Sequence, residues 1–198
     1  MEIVLATQNK DKIKEIKEIL KGLPVKLIIF NEHSRELSVE EDGKTLEENA
    51  IKKAEAWMKE TGKPALADDS GLEVDHLEGA PGVYSSRFAG ENATYADNNA
   101  KLLKLMEGVE QKKRTARFKC IAVLVFPDGK KELFQGATEG IIINEPRGKN
   151  GFGYDPVFLI PEYNKTFAEL GDDIKNKISH RAIAFKKVRS FLQKFLDQ

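Results

Sequence analysis

The sequence predicts an α/β fold: a single two-lobed domain spanning residues 1–198, with a central mixed β-sheet flanked by helices. Three observations carry this expectation. Short apolar runs alternate with amphipathic helical patterns through the first 70 residues, as α/β construction requires. Two long strand-like runs meet at Pro127-Asp128-Gly129, a hairpin signal that adds an antiparallel component to the sheet. No internal repeat or low-complexity tract interrupts the chain, whose 198 residues suffice for one sizeable core.

The elements follow in order. Ile3-Val4-Leu5-Ala6 is a short buried strand, after which Ile13, Ile16, Ile19 and Leu20 fall on one helical face. Gly22 and Pro24 stop that helix, and Val25 to Phe30 forms a second strand. Thr45-Leu46-Glu47-Glu48 fits a capping box and starts a helix that runs toward Gly62 and Pro64. A third strand, Ala65-Leu66-Ala67, ends at the pair Asp68-Asp69. Residues 73 to 93 read as a long irregular segment, functional or a lid, punctuated by Gly79-Ala80-Pro81-Gly82 and Gly90. Tyr95 to Met106 is helical. Ala116 to Phe126 and Lys131 to Ile143 are the hairpin strands, and a loop rich in Gly, Asn and Arg covers Pro146 to Gly153. The last helix starts near Ser179, with Ile183, Phe185, Val188, Phe191, Leu192 and Phe195 as its apolar stripe.

Composition excludes several classes of function. Lys+Arg and Asp+Glu balance at 32 each, so no global basic field draws the chain to nucleic acid or to an acidic membrane. Any polyanion must be held by a local cluster of cations. The single Cys120, inside an apolar strand-like run, makes no intramolecular disulfide and reads as a buried structural thiol. The start of the chain is too short and too acidic for a signal peptide, and no apolar run approaches the roughly 20 residues of a membrane span. The expected location is cytoplasmic.

Five segments carry candidate chemistry. In Asp68-Asp69-Ser70-Gly71, two adjacent carboxylates repel, and a divalent cation is one way to relieve them; the same residues also suit an ordinary turn, with Gly supplying positive φ. Thr7-Gln8-Asn9-Lys10-Asp11-Lys12 leads from a strand into a helix N-terminus, a place to hold phosphate, although Asn9 is equally a plain cap. It lacks the glycines and the GK[ST] ending of a P-loop. Glu40-Glu41 stands before a helix bearing Lys52 and Lys53, an arrangement that also serves as routine dipole complementation. Gly151-Phe152-Gly153-Tyr154-Asp155-Pro156 offers close backbone approach to a flat ligand and a ring to stack on it, or a turn with core aromatics. Finally, His180 and Arg181 follow the cap Ser179, placing cations where they oppose the helix dipole, which suggests a compensating ligand.

Together, Thr7-x-Asn9-x-x-Lys12, Asp68-Asp69-Ser70-Gly71, Phe152-Gly153-Tyr154-Asp155-Pro156 and Ser179-His180-Arg181 resemble, in order and spacing, the inosine triphosphate pyrophosphatases. These enzymes hydrolyse noncanonical purine nucleoside triphosphates to the monophosphate and pyrophosphate. The resemblance implies an active-site cleft between lobes, a homodimer, and Mg²⁺ held by Glu40 and Asp69, with Glu41 the alternative to Glu40. It gives Asp69 the further role of general base. It assigns Thr7, Gln8, Asn9, Lys10, Asp11, Lys12, Lys53 and Ser70 to the triphosphate. Phe152, Gly153, Tyr154, Asp155, Lys175, His180 and Arg181 would form the base pocket, with Phe152 stacking on the purine. Donors such as His180 and Arg181 would suit a 6-oxo group and leave the 6-amino group of adenine unmatched. The competing expectations are a pyrophosphatase for modified pyrimidine triphosphates and a nucleotide-binding module without catalysis.

Overall fold

The computed structural model describes residues 1–30, 37 and 39–197. The chain runs β1 (Glu2–Leu5), α1 (Lys10–Leu20), β2 (Lys26–Ile28), α2 (Leu46–Thr61), β3 (Ala65–Val74), α3 (Tyr95–Leu105), β4 (Thr115–Val125), β5 (Lys131–Ile142), β6 (Phe158–Ile160), β7 (Lys165–Thr166), α4 (Phe167–Ile178) and α5 (His180–Leu196). One seven-stranded sheet has the order β2-β1-β3-β4-β5-β6-β7. β1 pairs parallel with β2 and β3, whereas β5–β6 and β6–β7 are antiparallel, so the sheet is mixed as expected. The expected hairpin turn is closed by the Phe126 N–H donating to Lys130 O at 2.9 Å, with Gly129 at φ 89°.

Local chemistry sets the helix ends. Asn9 Oδ1 accepts from the N–H groups of Asp11 and Lys12 at 2.9 and 3.1 Å, capping α1. Thr45 Oγ1 accepts from Glu48 N at 3.1 Å, but the Glu48 carboxylate reaches back one residue further than a capping box requires, to Lys44 N at 2.7 Å. Gly62, at φ 65°, ends α2 in the left-handed conformation that glycine adopts without steric penalty.

Two expectations are corrected. β3 does not end at the carboxylate pair; it continues through Ser70 and Gly71 to Val74. Gly71 is therefore not a turn glycine. It is there for space, since a Cβ at this position would lie 2.4 Å from Gly82 O. The segment read as irregular contains the end of β3 and two short 3₁₀ turns, Asp75–Leu77 and Gly82–Arg87. Side chains stitch it down: Ser85 Oγ accepts from Leu72 N at 2.9 Å, and Asn98 bonds both Ala89 N (2.7 Å) and Ser86 O (3.1 Å). Beyond the expected elements, β6, β7 and α4 fill the stretch between the loop and the last helix.

The chain divides into two compact units. The first comprises Met1–Asp69, Cys120–Gly136 and Arg181–Gln198. Within it, Ile3, Leu5, Leu66 and Cys120 face Ile16 and Leu20 of α1 and Phe185, Val188 and Leu192 of α5. Val4, Ala65, Ala67 and Val123 point the opposite way, onto Ala50, Ala54 and Trp57 of α2. The expected stripe of α5 is thus buried at its centre, while Phe195, at its end, is exposed. The second unit comprises Ser70–Lys119 and Ala137–His180. Its core gathers Leu72, Val74, Leu102, Met106, Phe118, Phe158 and Phe167.

Candidate active site

The alternation of β3 decides what each carboxylate of the pair can do. Successive side chains of a strand point to opposite faces. Asp68 follows Leu66 onto the α1/α5 side, and Asp69 follows Ala67 onto the α2 side. The two acids are consecutive in sequence, yet their side chains leave the strand on opposite faces.

Asp68 is buried among cations. Lys12 Nζ lies 3.1 Å from its Oδ2, and Arg181 donates to the same oxygen from Nη2 at 3.1 Å and Nε at 3.3 Å. Arg181 Nη1 also donates to Glu15 Oε2 at 2.8 Å. Burial alone would raise the Asp68 carboxyl, but Lys12, Arg181 and Lys53 outweigh it and hold the group far below the usual carboxylate range. Burial likewise opposes the charge of Arg181, and Asp68 and Glu15 more than restore it. Cys120 Sγ approaches Asp68 Oδ2 at 3.8 Å, and the thiol is buried as expected.

Asp69 is held from α2. Lys53 Nζ lies 3.2 Å from its Oδ1, and Asn49 Nδ2 donates to its Oδ2 at 3.4 Å. The same ammonium donates to Asp68 O at 2.8 Å and pairs with Glu41 Oε1 at 3.0 Å. Burial raises the Asp69 carboxyl; Lys53 and Lys12 offset only part of this, and Glu41 adds to it. The Lys53 ammonium loses stability by burial, but Asp69, Glu41 and Asp68 over-compensate and raise its pKa. Glu41 therefore shares a cation with Asp69, whereas Glu40 is exposed and contributes to the field on Lys52. Among the described residues, no three of His, Cys, Asp and Glu converge on one point. In the β1–α1 turn, Thr7 Oγ1 accepts from Asn9 N at 3.2 Å, and Gln8, Lys10 and Asp11 are exposed.

The second unit holds the aromatic set and Ser70, which is half-buried. Asp155 Oδ2 accepts from Phe152 N at 2.8 Å and from Lys175 Nζ at 2.5 Å, so the acid fixes both. Lys175 Nζ in turn lies 4.6 Å from the centroid of the Phe152 ring, within cation–π range. Gly151 has φ 75°, and a Cβ there would lie 2.1 Å from Asp155 Oδ2, so the turn around this acid requires glycine. Gly153 O accepts from Asn99 Nδ2 at 2.9 Å, and the Tyr154 hydroxyl donates to Ser85 O at 2.9 Å. His180 is buried and stacked on Phe118, with centroids 4.7 Å apart and planes at 11°.

The structure thus brings Lys12, Lys53 and Asp69 together in the first unit and Phe152, Gly153, Asp155 and Lys175 together in the second. The bonds it gives the Arg181 guanidinium go to Asp68 and Glu15. Sequence reasoning missed Glu15, Asn49 and Asn99. Asn49 carried a signal: it sits with Leu46, Ala50, Lys53, Ala54 and Trp57 on the buried face of α2, where a neutral polar side chain needs a partner.

A sequence model of the Ham1 family matches residues 3–191. A curated relative from Desulforamulus reducens, named dITP/XTP pyrophosphatase, is 53% identical across 98% of this chain and 96% of its own. Another of that name, from Thermoanaerobacter pseudethanolicus, is 50% identical over 100% of both chains. The solved structure of a HAM1 protein from Coxiella burnetii matches with a TM-score of 0.90 at 46% identity, covering 98% of this chain and 99% of the other.

Proposed function

The chain belongs to the Ham1 family, and from that premise we infer that it hydrolyses noncanonical purine nucleoside triphosphates, dITP, ITP and XTP, to the monophosphate and pyrophosphate. Full-length likeness to relatives named for that activity carries the reading. It is a nucleoside-triphosphate pyrophosphatase, and its work is to cleanse the nucleotide pool.

The geometry supports a division of labour. Asp69 is the general base: a desolvated carboxylate with a raised pKa accepts a proton from water more readily than an exposed one. As water attacks the α-phosphorus, its proton passes to Asp69, the α–β anhydride bond breaks, and the electron pair leaves with pyrophosphate. Lys12 and Lys53, with the β1–α1 turn and Ser70, hold the triphosphate. In the base pocket Phe152 stacks on the purine, and the Asp155–Lys175 pair fixes the loop that carries it. His180 donates toward the 6-oxo group.

The donor set suits Mg²⁺. Asp69 and Glu41 are hard oxygen ligands bearing on one ammonium, and Mg²⁺ takes one or two protein carboxylates and keeps its remaining positions for water and phosphate. We assign the second carboxylate to Glu41 rather than Glu40 for that shared contact. When bound, the ion neutralises phosphate charge and makes the attacking water more acidic. A cytoplasmic location and a homodimer complete the reading. Light scattering at twice the chain's mass supports the dimer, and the mass of one chain refutes it.

Incubating the protein with ITP and Mg²⁺ and separating an early time point by chromatography tests the whole. IMP and pyrophosphate are expected; accumulating IDP would overturn the cleavage site.

A further inference from the structure

The side chain of Asn49 is completely buried, and both of its ends are used. Its Oδ1 accepts from Gly43 N at 2.8 Å, and its Nδ2 donates to Asp69 Oδ2 at 3.4 Å. Lys53, one turn further along α2, repeats the pattern. Its ammonium contacts Asp69 Oδ1 on one side and Glu41 on the other. Positions four apart in a helix lie on the same face. One face of α2 therefore grips the two oxygens of Asp69, one from each residue, and grips the 41–43 segment through the same two side chains. Gly43 is fitted to this arrangement, because a Cβ there would lie 2.5 Å from Asn49 Oδ1.

We propose that Asn49 is a positioning residue, which sets the rotation of the Asp69 carboxylate and ties it in register to the segment bearing Glu41. The proposal rests on the reading of Asp69 as base and ligand. Lys53 fixes one carboxylate oxygen through a long, flexible stem. Without a second fixed donor, the carboxylate can turn about its own axis while that contact survives. An amide buried on a helix supplies the donor and at the same time accepts from Gly43. Hydrogen bonds that orient a ligating or proton-accepting carboxylate are worth about 10- to 100-fold in activity or metal affinity when removed.

Two substitutions separate positioning from mere packing. Asn49→Asp keeps an acceptor for Gly43 N but replaces the donor facing Asp69 with a second carboxylate oxygen. Asn49→Leu removes both bonds at similar volume. Positioning predicts that both lower kcat for ITP by about tenfold or more, with KM changed less than about threefold. Gly43→Ala, which displaces the Asn49 amide from the other side, should lower kcat in the same way, and adding it to Asn49→Leu should cost little more. Mn²⁺ titration without nucleotide, read by electron paramagnetic resonance, should show weaker binding in Asn49→Leu by about fivefold or more. If Asn49 only anchors the loop, Asn49→Asp will retain wild-type kcat, and that result overturns the proposal. So does Asn49→Leu with unchanged kcat and unchanged Mn²⁺ affinity. A wild-type protein that releases no pyrophosphate from ITP removes the catalytic reading itself, and this proposal with it.

Discussion

Replacing Arg181 with Met removes a guanidinium that makes three named bonds: two to Asp68 Oδ2 at 3.1 and 3.3 Å and one to Glu15 at 2.8 Å. Asp68 is 1% exposed, so its carboxylate cannot recover these bonds from water. Breaking a buried pair by removing one partner costs roughly 3–5 kcal/mol. Lys12 remains at 3.1 Å from the same oxygen, so the low end, about 3 kcal/mol, applies. At roughly 2–4 °C per kcal/mol for a chain of this size, Tm should fall by about 6–12 °C. Thermal unfolding followed by circular dichroism reads this directly. Adding Asp68→Asn should recover part of the loss, since the stranded charge is then gone.

The same variant decides between two roles for this residue. As a clamp on Asp68, it acts on the common phosphate end of every nucleotide, so kcat/KM for ITP and for ATP should fall by the same factor. As a reader of the 6-oxo group, it should be lost at the expense of ITP alone. A Tm within about 2 °C of wild type, combined with a selective loss for ITP, would refute the clamp and the magnitude derived from it.

Three further outcomes follow from the site. Asp69→Asn should leave the fold intact and lower kcat at least about 100-fold, because the amide neither accepts the proton nor carries charge for Mg²⁺; near-normal turnover removes Asp69 from the mechanism. His180→Ala should narrow the preference for ITP over ATP, with ITP losing roughly 5- to 150-fold in kcat/KM and ATP less; an unchanged ratio ends its base-reading role. The pH dependence has a definite sign at Asp68, whose pKa is depressed in the folded protein: its contribution is full above the unfolded value of 3.8 and is lost as pH falls from there toward the folded value. Urea unfolding from pH 7 to 3 should show this loss, and it should be smaller in Asp68→Asn; equal slopes in the two proteins would contradict it.

Local patterns in the sequence determined β1, α1 and α2 and the helix caps at Asn9 and Thr45, because apolar periodicity and capping are settled within a few residues. The resemblance of four motifs added the family and with it the activity. Other features were beyond local reading. The strands β6 and β7 have three and two residues, too few to show any alternation. Asp-Ser-Gly looked like a turn because its residues favour one in isolation. Within the sheet, however, β3 runs straight through it, and the alternation of that strand parts Asp68 from Asp69. Tertiary structure alone decided the partners of Arg181, whose bonds to Asp68 and Glu15 span 113 and 166 residues of sequence. A buried charge is satisfied by whichever opposite charge the packed chain brings to it, and no pattern within a helix or a strand records which one that will be.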